Sequence, residues 1–320
     1  MMEKVHRPRF LIVSPPQDGG GPVVLHLLCR MLADFGYDAK IFRLRPDVTE
    51  VCRPCSRREF LSYYLPFMNR KAKQILDSQE GSVKGCVLTD WPYVDDDTIV
   101  VYPEIVFGNP LAAKHVVRWF LNINRFKGNY GEEQPYGKDD LFICYLNVFN
   151  DYKLNPSCRK VTLQHFNHEV YKRWNYGHRE GNCFLIRKGW TRADLPSKLP
   201  GIIIDGLSEE EKVKVLNKCE YFYSFDPQTA YSYVAAVCGC VSIVIPEPGK
   251  RREDYTGGEV KGWGIAYGTS QEELDFARRT QKEMQAYIES FDVHNHENVR
   301  KFLDYCQEHF QRRMDPEIIW

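Results

Sequence analysis

Short apolar runs rich in β-branched and aromatic residues alternate with helical patterns along most of this chain, and that alternation limits the fold more than any other feature. RFLIV (9–13), AKIFRL (39–44), TIVVYPE (98–104) and DLFICYL (140–146) recur in the first half. NCFLIRKGW (182–190), GIIIDGL (201–207), EYFYSF (220–225) and CVSIVI (240–245) recur in the second. Runs this short and this apolar read as strands covered on both faces. Helical stretches separate them. One runs from about Val23 to Phe35; NPLAAKHVVRWFLN (109–122) reads as another, begun by Asn109 and Pro110. Ser208 with Glu211 forms a capping box for EEEKVKVLNKC (209–219). Asp226 and Pro227 open a helix that Gly239 closes. The expected class is α/β, with two doubly wound, Rossmann-like domains. Their boundaries fall at 1–155 and 156–299, and a C-terminal helix near 300–320 joins the first.

In such sheets ligands gather outside the carboxyl ends of the strands. The loops that stand out lie at such ends: Ser14–Gly21, Pro103–Asn109, Arg187–Gly189 and Asp226–Tyr231. The tail from Ser270 to Arg313 is an amphipathic helical region with a break expected near FDVHNHEN (291–298). His165 and His168, three residues apart, would face one way on a helix, where a satisfied pair outweighs a metal site. His26 reads as a core or cleft-wall residue of the first helix.

Composition narrows the function classes. The 43 basic and 43 acidic residues of the 320 balance, so no global attraction to nucleic acid is expected. The first apolar run is too short for a signal peptide and no apolar stretch spans a bilayer, which predicts a cytoplasmic protein. RREFLSYYLPFMNRKAK (57–73) mixes basic and apolar residues as an interfacial helix would, leaving peripheral membrane contact open beside ordinary packing. Among eleven cysteines, Cys52 and Cys55 alone have metal or redox spacing; with no second pair, they read as a loop.

Specific chemistries then fall away. A dinucleotide fingerprint needs a third glycine where Val24 stands, and a P-loop needs Gly-Lys-Ser/Thr after the glycines. The Asp95–Asp97 run precedes its strand rather than following it, which suits a solvated turn and not a metal-bound diphosphate.

Three stretches carry a family resemblance. YPEIVFGNPLAAKHVVRWFLN (102–122), FLIRKG (184–189) and DPQTAYSYVAAVCG (226–239) resemble blocks of GT-B glycosyltransferases, in particular the small bacterial-type enzymes that build surface polysaccharide and lipopolysaccharide. The resemblance implies two domains facing a cleft, with the first binding a glycan or lipid-linked acceptor and the second a nucleotide-sugar donor, and no cofactor. It places Asp226 at the first residue of the family's acidic pair, whereas the second falls on Val234, so the retaining pattern is incomplete and inverting transfer is favoured. A helix N-terminus suits a diphosphate. Thr229 and Ala230 would present their N–H groups to it, Tyr231 would stack nearby, and Arg187 and Lys188 would neutralise the leaving charge without a metal. Glu104 is the candidate base and Asp18 its rival, with Gly19, Gly20 and Gly21 allowing close backbone approach to sugar or acceptor. An epimerase on the same scaffold and a non-catalytic glycan-binding protein stay open as alternatives.

Overall fold

The computed structural model describes residues 7–15, 19–44, 58, 83, 85–89, 91–124, 136–256 and 261–311. Asp18, the Cys52–Cys55 pair and, apart from Arg58, the basic-apolar segment 57–73 lie outside them. The chain divides into two compact units, Met1–His165 with Asp292–Trp320, and Phe166–Phe291.

Unit 1 holds a six-stranded parallel sheet: β1 (Arg9–Ser14), β2 (Ala39–Arg43), β3 (Leu88–Thr89), β4 (Thr98–Pro103), β5 (His115–Phe120) and β6 (Leu141–Cys144), in the order β3-β2-β1-β4-β5-β6. Period-two alternation sends Phe10 and Ile12 of β1 to one face and Leu11 and Val13 to the other. Helix α1 (Gly20–Asp34) covers the first face with Leu25, Leu28 and Leu32, beside Val299, Phe302 and Leu303 from the C-terminal region. Both faces are therefore dry, as short continuous apolar runs require.

The segment 109–122 departs from expectation. Asn109 does not begin a helix: its side chain accepts from Ala113 N (3.0 Å) and donates to Ala113 O (2.7 Å), closing a turn. The chain then extends into β5, where Val116, Val117, Trp119 and Phe120 are buried. Arg118, the one arginine of this run, is fully buried. Its guanidinium bonds Asp140 (2.7 Å), Val106 O (2.6 Å) and Gly108 O, and lies over the rings of Tyr102 and Tyr136.

Unit 2 holds a five-stranded parallel sheet: β7 (Asn182–Leu185), β8 (Ile202–Ile203), β9 (Tyr221–Ser224), β10 (Val241–Val244) and β11 (Ile265–Tyr267), in the order β11-β10-β9-β7-β8. Helix α2 (Glu209–Lys218) starts with the reciprocal Ser208–Glu211 capping box. Helix α3 (Tyr231–Cys238) ends on Gly239 in the left-handed region, φ 101°. Its start is later than the sequence suggests. Asp226 accepts from Gln228 N (3.3 Å) in a turn, and Ala230 occupies the position before the first helical residue. Helix α4 (Arg252–Thr256) and helices α5 (Gln271–Arg279) and α6 (Gln281–Glu289) complete the unit.

Helix α7 (Phe291–Phe310) belongs to unit 1 from Asp292 onward. FDVHNHEN forms its first two turns, so the chain breaks at Thr280 and Ser290 instead. His165 and His168 share no helix face: residue 165 is irregular and 168 lies in a turn. Among the described residues, no helix is long and apolar enough to cross a membrane.

Candidate functional site

Each sheet reverses its direction of growth once. In unit 2 the reversal lies between β7 and β9, the neighbouring strands from which the chain proceeds to opposite edges. Such a switch point opens a crevice at the carboxyl ends, because the two following loops diverge to opposite faces. The loop after β7 carries Arg187 and Lys188, and the loop after β9 carries Asp226, Thr229 and Ala230.

The first loop is a 3-10 helix, Arg187–Thr191, held tightly from behind. Asp205, just beyond β8, accepts from Ile186 N (2.9 Å) and Arg187 N (2.5 Å). Gly189 packs so closely that a Cβ there would lie 2.7 Å from both Cβ and O of Phe225. Arg192 ties the strand ends together, donating to Ile245 O (2.7 Å), Pro246 O (2.9 Å) and Phe225 O (3.3 Å) while Asp194 pairs with it at 2.5 Å. Arg187 has φ +42°, a conformation an L-residue holds only when its surroundings impose it. Arg187 and Lys188 are exposed.

The second loop presents backbone donors. Ser224 Oγ bonds Asp226 O (2.8 Å) and accepts from Asp226 N (3.2 Å), and Tyr231 N donates to Thr229 Oγ1 (3.3 Å). No described residue accepts from the N–H groups of Thr229 or Ala230. The buried Asp226 carboxylate stands 3.8 Å from Arg187 Nε, which ties that side chain to the second loop. The Arg187 guanidinium also lies 6.0 Å from the centre of the Tyr231 ring.

Tyr231 is itself fixed by residues that sequence reasoning did not single out. Its hydroxyl donates to Glu209 Oε1 (2.5 Å) and accepts from Lys212 Nζ (3.1 Å). Glu209 accepts also from Tyr171 (2.6 Å) and Lys212 (2.7 Å). Burial works against the Glu209 charge, but the donations from Lys212, Tyr171 and Tyr231 hold its carboxyl below the usual range. Lys212 gave no signal in sequence beyond a polar position on an amphipathic helix.

Val234, where the resemblance would put a second carboxylate, is buried among Cys183, Leu216 and Phe222. A carboxylate there would be desolvated in the core. Asp95 closes the turn ahead of β4, accepting from Thr98 Oγ1 (2.7 Å) and pairing with Arg9. Among the described residues no three His, Cys, Asp or Glu side chains come together as a metal site.

In unit 1 the reversal lies between β1 and β4. Glu104 follows β4 directly, and its Oε2 accepts from Leu121 N (3.0 Å). Burial pushes its carboxyl up from 4.5 to about 7, while hydrogen bonds from its own N–H and from the Leu121 and Asn122 N–H groups resist the shift. Arg118 turns to Asp140 and leaves Glu104 without it as an ion-pair partner. On the β1 side, Gly20 and Gly21 are the first residues of α1 and Gly19 precedes them in extended backbone, none in the left-handed region. His26 is buried in α1 with neither ring nitrogen hydrogen-bonded, and burial, aided by Arg43, lowers it to about 4, so it stays neutral.

No family model and no curated protein matches the chain. Solved structures with a similar course include a glycosyltransferase from Rickettsia africae ESF-5, 11% identical, covering 96% of this chain and 100% of its own, with a TM-score of 0.47. The phage T4 β-glucosyltransferase is 8% identical over 94% of this chain and 97% of its own, at 0.39. A spinosyn rhamnosyltransferase complexed with thymidine diphosphate is 9% identical over 94% and 96%, at 0.33. Likenesses this distant do not assign a reaction to the chain.

Proposed function

We propose that the chain is a glycosyltransferase that moves a sugar from a nucleotide-sugar donor to a glycan or lipid-linked acceptor, as the surface-polysaccharide enzymes it resembles do. One observation carries the reading. At the switch point of unit 2, two uncommitted backbone N–H groups, Thr229 and Ala230, sit in the loop to whose buried Asp226 Arg187 is anchored. Oriented N–H groups next to a guanidinium bind a diphosphate and stabilise the charge it gains as the glycosidic bond breaks. Lys188 adds a second cation, and the Thr229 hydroxyl a further donor. These residues supply in fixed positions the positive charge that a metal ion supplies elsewhere.

The transfer follows an inverting course. The acceptor hydroxyl oxygen attacks the anomeric carbon, the bond from that carbon to the diphosphate oxygen breaks, and the hydroxyl proton passes to a base. Glu104 suits that role, because a carboxyl held near 7 takes a proton readily at neutral pH. Gly19, Gly20 and Gly21 leave the start of α1 without side chains, which suits an acceptor or sugar lying close to the backbone.

The test is thermal stability against a panel of nucleoside diphosphates and nucleotide sugars, with and without EDTA, followed by donor turnover. The expected result is a rise with one nucleotide, retained in EDTA and lost in Arg187→Ala. A folded protein that responds to none of them refutes the proposal. Donor isomerisation without acceptor would favour an epimerase, and sugar binding without turnover a glycan-binding protein.

A further inference from the structure

At the β6 edge of the unit 1 sheet the chain doubles back and brings two thiols together. Beyond β6 it makes a short excursion and returns alongside the strand: Cys144 N donates to Arg159 O (2.9 Å), and Val161 N to Cys144 O (3.0 Å). The Cys144 and Cys158 sulfurs lie 4.0 Å apart. The excursion is held by its own contacts. Asn155 Nδ2 donates to Asn150 Oδ1 (2.8 Å) and Arg159 O (3.0 Å), its Oδ1 accepts from Arg159 N (2.9 Å), and Cys158 N donates to Asn155 O (3.0 Å). Cys158 has φ +50°, a left-handed conformation that a residue with a side chain holds only when its surroundings impose it. Its thiol donates to Asn147 Oδ1 (3.2 Å). The pair is unequal in access, for Cys144 is fully buried and Cys158 half-buried. Cys183, Cys219 and Cys240 share a core cluster in unit 2, yet none is more than 2% exposed, so no reagent reaches them in the folded protein.

We infer that Cys144 and Cys158 are a dithiol pair that closes to a disulfide on exposure to a small-molecule disulfide such as oxidised glutathione; nothing in this depends on the transfer reaction. The backbone ladder already holds the two segments side by side, so closing the 4.0 Å gap to a bond of about 2 Å asks for rotation of the two side chains. Cys158, the accessible thiol, reacts first. It gives up its proton and its sulfur attacks one sulfur of the small disulfide. That S–S bond breaks, one reduced thiol leaves with the proton, and a mixed disulfide remains on Cys158. The Cys144 sulfur then attacks the Cys158 sulfur, its proton goes to the second departing thiol, and the internal bond forms. The protein loses two electrons and two protons, and the small disulfide gains them as two thiols. In a reducing compartment the pair stays open, closing only when the oxidised partner accumulates.

The test incubates the folded full chain in a series of reduced-to-oxidised glutathione ratios, blocks remaining thiols by alkylation and maps the peptides by mass spectrometry. Trypsin cuts after Lys138, Lys153 and Arg159, so the two cysteines leave on separate peptides, 139–153 and 154–159. Wild-type protein should yield these two joined, in a fraction that rises with the oxidised ratio and returns to zero with excess reduced thiol. Cys144→Ala should instead accumulate glutathione on Cys158, the intermediate that then has no second thiol to displace it. Cys158→Ser should yield no joined pair and leave Cys144 unmodified, because that thiol is buried. A melting transition kept by each variant shows that it is folded; should Cys144→Ala fail to fold, the wild-type and Cys158→Ser maps decide alone. Cys158 still fully alkylated after oxidation overturns the inference, as does Cys158 joined to any other cysteine. Glutathione that persists on Cys158 in the wild type overturns closure by Cys144, and a joined pair that appears only in urea overturns closure in the folded protein.

Discussion

Replacing Glu104 by glutamine separates what this carboxyl costs from what it does. Burial raises it from 4.5 to about 7. Between those values the folded protein holds a proton that the unfolded chain has released. The group's contribution is thus fully present below pH 4.5 and is lost as pH rises through 7. At about 1.4 kcal/mol per pH unit, the shift corresponds to about 3 kcal/mol, which residual solvent contact at this half-buried side chain trims to about 2 kcal/mol. Glutamine keeps the shape and an oxygen for the Leu121 N–H, but it cannot ionise. Urea unfolding of wild type and Glu104→Gln at pH 5, 6, 7 and 8 should give nearly equal stabilities at pH 5 and a variant about 2 kcal/mol more stable at pH 8. Every other titrating group cancels in the difference. Donor turnover should fall by about 100-fold or more if the carboxylate is the base. Parallel stability profiles would refute the buried-carboxyl argument. A variant that loses stability as pH rises would show that Glu104 is an ionised, paired group. Unchanged turnover would remove it from the reaction.

Other expectations follow from particular contacts. Arg118→Met strands the buried Asp140 carboxylate and two carbonyls, so it should cost unit 1 about 3–5 kcal/mol in urea unfolding, and a loss below 1 kcal/mol would contradict this account. Gly189→Ala forces a methyl to 2.7 Å from Phe225; it should cost about 1–3 kcal/mol and weaken diphosphate binding by displacing Arg187. Wild-type affinity in that variant would show that the turn can shift freely. Ser208→Ala removes one half of the capping box and should lower stability by about 1 kcal/mol, with diphosphate affinity unchanged in titration.

Periodicity and punctuation determined much by themselves. Doubly wound α/β order, the capping box at Ser208 and the stop at Gly239 are local signals, because each reports a conformation decided within a few residues. The positions of Arg187, Lys188 and Glu104 were legible for the same reason: a residue just past a strand lies at the carboxyl end of a parallel sheet wherever that strand sits. Local signals failed where a partner far along the chain decides. Asn109 and Pro110 have the chemistry of a helix start for 109–122, yet Asn109 closes a turn on Ala113, and Asp140, 22 residues from Arg118, neutralises that arginine inside the sheet. Asp226 and Pro227 have the chemistry of a helix start, yet the bonds from Ser224 and the approach of Arg187 hold them in a turn. Tyr171, Glu209, Lys212 and Tyr231 come from three separate segments, and only the folded sheet brings them to one carboxylate. Strand order belongs to the same category. It decides which loops diverge at a switch point, and it depends on packing of whole elements that no short stretch of sequence encodes.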